Sequence, residues 1–142
     1  MKLWHLVLAL GCLGGCAAAS PTRLHTLGKP AGKGAIVFEV ENRTQAIVNN
    51  LYLAPTEKVK AAGEAAFQGG SAEQAGLWGD DLLPGSGLEP RGKLKVPITS
   101  PGRYDVRVRD RDGREQHITG LGLQAGGRYV LELEDGSWRA PR

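Results

Sequence analysis

Apolar and polar residues alternate along most of the chain from residue 35 onward. Ile36, Phe38 and Val40 alternate with Val37, Glu39 and Glu41, and Leu94, Val96 and Ile98 with Lys93, Lys95 and Pro97. Tyr104, Val106 and Val108 alternate with Asp105, Arg107 and Arg109, and Tyr129, Leu131 and Leu133 with Val130, Glu132 and Glu134. Successive side chains of a strand point to opposite faces, so a period of two predicts strands with one face for a core and one for water. Residues 46–53 read as a further strand with Ile47, Leu51 and Leu53 on one face. Pro97 cannot donate a ladder hydrogen bond, which puts its strand at a sheet edge or ends it early.

Turn chemistry agrees with this pattern. Asp112-Gly113 supplies the backbone freedom that a hairpin needs, so residues 104–109 and 115–119 are expected to pair directly. Gly126-Gly127 plays the same part before the last strand. The chain has 21 glycines in 142 residues, about twice the usual share of roughly 7%, as expected of a fold with many reversals. The pattern predicts an all-β fold, an immunoglobulin-like antiparallel β-sandwich of about six or seven strands, over residues 35–142.

One stretch departs from it. Residues 56–67 are rich in alanine, lysine and glutamate, and Val59, Ala62, Ala66 and Phe67 share one helical face. Thr56 is placed to cap this helix through its hydroxyl, Gly63 weakens it, and Gly69-Gly70 stop it. A short helical insertion in a long connection is expected. Its face should be dispensable for the main core.

The first residues carry a different signal. Lys2 and the amino terminus form a positive head, an apolar run extends from Leu3 to Leu13, and Leu13-Gly14-Gly15-Cys16 closes it. Charged, apolar and small-residue regions in that order make a secretory signal. The run is too short for a bilayer core, which needs about 20 helical residues. An uncut amphipathic helix, or a signal cut after Ala17-Ala18-Ala19, is the alternative. The last four residues resemble a bacterial lipobox, where cleavage precedes a cysteine that carries a diacylglyceryl group. That resemblance implies a signal peptide at residues 1–15 and fatty acylation of Cys16. It also implies a cell-envelope location through a lipid anchor. By the same resemblance, Ala17 in place of aspartate implies the outer membrane, facing the periplasm or the cell surface. Cys12 fits less well, having Ala9 where Cys16 has Leu13. Residues 16–34 then hold the lipidated cysteine and a tether rich in glycine and proline, with His25 as a solvated bystander. A flexible chain of this length averages about 24 Å end to end.

Composition narrows function mainly by exclusion. Cleavage removes one lysine from a balance of 18 basic and 15 acidic residues, too even for a nucleic-acid or polybasic membrane surface. Cys16 is the only cysteine left, so no disulfide forms within the mature chain. No motif of a nucleophile, zinc or phosphate site occurs, and no cofactor is called for. Catalysis is not expected. The run Trp78-Gly79-Asp80-Asp81-Leu82-Leu83 is the candidate binding loop: Trp78 and the leucines fold over one end of the core, and an aspartate caps a turn. Asp80 and Asp81 also carry the alternative reading, a calcium- or metal-binding module or a metal-dependent hydrolase. Asp110 and Asp112 are weaker ligands for it, because Glu115 follows too soon for a calcium loop. Asp105, Asp110, Asp112 and Glu115 interleave with Arg103, Arg107, Arg109, Arg111 and Arg114, which reads as a charge ladder facing water.

Several motifs in order strengthen the fold expectation. These are Leu51-Tyr52 with Pro55, Trp78 to Leu83, Leu88 to Gly92, Tyr104 to Val108, and Asp112 to Glu115. Together they resemble a poorly characterised family of small exported bacterial β-sandwich proteins. The resemblance implies an envelope protein and brings no activity. The leading expectation is therefore a lipid-anchored, non-catalytic binding or structural module. It would contact an envelope protein or glycan through a sheet edge or the 78–83 loop.

Overall fold

The computed structural model describes residues 18–68 and 76–141. Cys16, the apolar run and Gly69-Gly70 lie outside them. Among the described residues, seven strands form two sheets: β1 (Arg23–Thr26), β2 (Ile36–Asn42), β4 (Lys93–Ile98) and β7 (Arg128–Leu133) in the order β1-β7-β2-β4, and β3 (Val48–Pro55), β5 (Gly102–Asp110) and β6 (Glu115–Leu123) in the order β3-β5-β6. Phe38, Val40, Val96, Tyr129, Leu131 and Leu133 of the first sheet share one buried core with Val48, Leu51, Val106, Val108, Leu121 and Leu123 of the second. Alternation produces this directly, since each strand turns one row of aliphatic side chains toward the other sheet. β4, with Pro97, is an edge strand. The ladders are antiparallel except for β2 with β7, which run parallel. These two strands are far apart in sequence, so no hairpin dictates their direction.

The stretch expected as a flexible tether contains β1. Arg23–Thr26 pairs with β7, Leu24 opposite Leu131, and Leu24 packs on the main core. Four residues between glycine- and proline-bearing segments carry too little periodicity to announce a strand. His25, expected as a bystander, has its Nε2 2.9 Å from Glu132 Oε2, although not aligned for a hydrogen bond. The docking begins before β1. Gly136 N donates to Ser20 O, Thr22 N donates to Ser137 Oγ, and the Thr22 hydroxyl donates to Oε1 of the fully buried Gln116 while accepting from Glu134 N. Removing that hydroxyl deprives the buried Oε1 of Gln116 of this donor, while Nε2 keeps Glu134 O. Thr22→Ala is expected to cost about 1–2 kcal/mol, read as a lower urea midpoint with an unchanged slope.

Other boundaries shift for identifiable reasons. β3 starts at Val48 rather than 46, and a register shift between Val48 and Asn50 turns Val48, in place of Ile47, toward the core. β6 runs past residue 119 because Thr119 and Gly120 bulge opposite Asp105, where the register shifts between Tyr104 and Val106. Gly120 has φ +68, the left-handed conformation that such a bulge uses. Between β5 and β6 the turn is wider than a two-residue hairpin. Asp110 closes it, its carboxylate accepting from Asp112 N, Arg114 N and Arg114 Nε.

Candidate functional site

The outward face of the second sheet is where the structure departs most from the expected charge ladder. Asp105, Arg107 and Arg109 of β5 lie beside Glu115, His117 and Thr119 of β6, with Arg107 directly opposite His117 and Arg109 opposite Glu115. Tyr52 of β3 faces Arg107 from the other side. This face is covered in part, Arg109, His117 and Thr119 keeping exposure. α1 (Thr56–Ala62) continues into a 3₁₀ turn (Gly63–Phe67), and Val59 and Ala66 pack with Ala54 and Trp78 in a second apolar cluster that also takes in Tyr52, Ala62, Phe67 and Leu77. The insertion thus has its own core, built on polar residues that the alternation assigned to water. Asp105, Arg107 and Glu115 are buried beneath it.

The bulge at Gly120 organises the centre of the site. Asp105 Oδ1 accepts from Gly120 N at 2.9 Å, from the Thr56 hydroxyl at 2.7 Å and from the Thr119 hydroxyl at 3.2 Å. Its Oδ2 lies 2.7 Å from His117 Nε2. Thr56, expected as the helix cap, is instead the first helical residue after Pro55 and spends its hydroxyl on this carboxylate. Burial alone raises the Asp105 pKa. The backbone N–H of Gly120, the Thr56 hydroxyl and the His117 ring outweigh it and hold the carboxyl below its ordinary value.

Aromatic rings frame the histidine. The Phe67 ring centroid is 4.6 Å from that of His117, and the Trp78 ring meets His117 edge-on at 6.1 Å. Trp78 Nε1 donates to Ala66 O, which ties the 78–83 run to the insertion. Arg107 reaches under the same rings, 5.7 Å from the Phe67 centroid and 6.0 Å from that of Trp78. Its Nη2 donates to Glu115 Oε1 at 2.7 Å, an atom that also accepts from Arg109 Nη2 at 2.9 Å. A buried carboxylate that orients an imidazole is the arrangement that activates a hydroxyl or thiol nucleophile. Here the two nearby hydroxyls, Thr56 and Thr119, donate to the carboxylate instead.

The candidate binding loop divides in two. Trp78 is buried in the second cluster, and Leu83 in the main core. Asp81 bridges them: Oδ1 accepts from Leu51 N and Leu83 N, and Oδ2 from Asn50 Nδ2. Asp80 is exposed beside it. Trp78 thus covers part of the fold and Asp81 caps the turn, as the run's composition led one to expect. No group of three or more His, Cys, Asp or Glu side chains is placed to hold a metal ion among the described residues. The Asp105–His117 pair was hidden in the sequence because twelve positions separate its members. The available signal was an alanine-rich helix with an apolar face and no strand of its own to cover. Comparison with protein-family models, with curated proteins and with solved structures finds no match. The resemblance to exported β proteins rests on the quoted motifs alone.

Proposed function

We propose that the chain is a lipid-anchored protein of the bacterial cell envelope, its immunoglobulin-like sandwich serving as a non-catalytic binding or structural module. The observation that carries the anchor is Leu13-Gly14-Gly15-Cys16 behind a short apolar run. The module reading is supported by how the polar groups best suited to chemistry are engaged. Asp105 holds two hydroxyls, a backbone N–H and an imidazole, and Asp81 serves three N–H donors. Contact with an envelope protein or glycan then falls to sheet edges rather than to Trp78 and Asp81.

The docking of residues 20–22 changes how the anchor works. Only residues 17–19 separate Cys16 from Ser20, and the four Cα–Cα steps between them span at most about 14 Å. The anchored domain is held against its membrane, where a flexible tether would let it range. Cys16→Ser should abolish metabolic incorporation of a fatty-acid probe. Undiminished labelling of that variant would overturn the anchor.

A further inference from the structure

The far end of the first sheet, away from residues 18–22, concentrates charge and apolar surface together. The loop after β1 is tied to the turn before β7: Leu27 N donates to Arg128 O, Gly32 N to Ala125 O, and Gly126 N to Gly34 O. Gly126 has φ +70, and a Cβ there would run into Lys33 O, so the two segments touch backbone to backbone. This strap fixes exposed Lys29 and Lys33 beside exposed Arg128. Lys95 and Val37 face outward on the adjoining strands β4 and β2, opposite the buried Val96 and Phe38. Leu27 is 51% and Val37 42% exposed, the two exposed large hydrophobic residues among those described. They line a shallow groove of about 210 Å³ with Lys95, Arg128 and Val130. Its one carboxylate, Glu39, lies 3.8 Å from Lys93. Lys29, Lys33, Lys95 and Arg128 form no ion pair among the described residues.

We propose that this end of the sheet is a docking surface for a bilayer bearing anionic phospholipid headgroups. Four cations without an ion pair, against the single carboxylate of Glu39, are complementary to headgroup phosphates, and each contributes about a fivefold gain in affinity near an anionic surface. Leu27 and Val37 stand between the cations and enter the boundary between headgroups and acyl chains, where aliphatic side chains leave water. An acidic polysaccharide would meet the same charges but leave both aliphatic residues wet, since the ring that lines the groove, Tyr129, is buried. The near-even charge balance along the chain conceals this end, because Glu39 is the one carboxylate that lines the groove. The contact is separate from the acyl anchor and adds a second, salt-sensitive hold on a membrane.

The test is co-sedimentation of the full chain carrying Cys16→Ser, which removes acylation. Vesicles are phosphatidylcholine alone or with one third phosphatidylglycerol. The apolar N-terminal run contributes alike to both, and the positive head at Lys2 is present in every variant, so the difference between variants reports the sheet alone. Binding should be at least about tenfold tighter to the anionic vesicles and fall steeply with added salt. Lys29→Gln with Lys33→Gln, Lys95→Gln and Arg128→Gln should erase the preference with an unchanged circular dichroism spectrum. Leu27→Ser with Val37→Ser should weaken it at constant charge. Equal binding to both vesicles, an undiminished preference in the quadruple variant, or equally strong capture by polygalacturonate would overturn the proposal. Fatty-acid labelling scores the anchor independently, so either reading can fail alone.

Discussion

Replacing Glu115 by alanine should lower the stability of the domain by about 3–5 kcal/mol, the cost of stripping one partner from a buried ion pair. The side chains of Arg107 and Glu115 are 8% and 9% exposed, and their contact is 2.7 Å. With the carboxylate gone, the Arg107 guanidinium keeps, among the described residues, the carbonyls of Ala66 and Phe67, both at 3.5 Å, and the faces of two rings. That is poor replacement for water or for a full negative charge. Arg109 shares the same carboxylate oxygen, but its side chain is 46% exposed. Arg109→Ala should therefore cost under about 1 kcal/mol. Urea unfolding of the two variants measures the contrast. Equal, small losses would mean that the insertion does not shield the Arg107–Glu115 pair from solvent. Arg107→Met with Glu115→Leu should recover much of the loss, since an apolar pair of similar volume removes both desolvation costs.

How much of this was legible in the sequence differs from element to element. β2, β4, β5 and β7 follow from alternation because a single inward row, such as Phe38 and Val40 or Leu131 and Leu133, fills the space between the sheets. β1 offers one inward residue, Leu24, and three other positions with no preference. Its place is set by backbone bonding to β7 and by the Thr22–Gln116–Glu134 contacts, which are long-range and leave no local trace. Asp105, Arg107 and Glu115 read as solvent-facing because periodicity reports which residues share a face, not what covers it. The cover is an element inserted between β3 and β4. Its apolar stripe was visible in Val59, Ala62, Ala66 and Phe67, but its docking partner was not. Asp81 was legible in kind: a turn-capping carboxylate was expected, and the structure adds that it also fastens β3 through Leu51 N and Asn50.

The chain ends and the insertion do related work on opposite faces. Residues 20–26 close the β7 edge of the first sheet, and the insertion covers Asp105, Arg107 and Glu115 on the outward face of the second. In both places a buried polar side chain is the fastening: Gln116 for the N-terminal strap and Asp105 for the insertion. Loss of either uncovers surface that hydrophobic burial has already committed. These side chains are thus expected to matter more than their small contact areas suggest.

Asp105 gives the sharper case, since its charge can be switched off by acid. Asp105→Ala removes the acceptor of the Thr56 and Thr119 hydroxyls and of Gly120 N, and leaves His117 without its partner, at an expected cost of about 3 kcal/mol near neutral pH. Asp105→Asn keeps an acceptor oxygen but no charge, so its deficit should be smaller and should depend on pH in a defined way. The folded carboxyl titrates below its ordinary value. Its ionised form therefore stabilises the native state at any pH above the unfolded carboxylate range, about 4. That contribution is lost as pH falls through the folded value, where both states become protonated. The gap in urea midpoint between native protein and Asp105→Asn should narrow as the pH falls below about 4. The other carboxylates titrate in both proteins and drop out of the difference. A gap that stays constant, or widens, down to about pH 3 would show that Asp105 is not held ionised by Gly120, Thr56 and His117. The insertion would then owe its attachment to Val59, Ala66 and Trp78 alone.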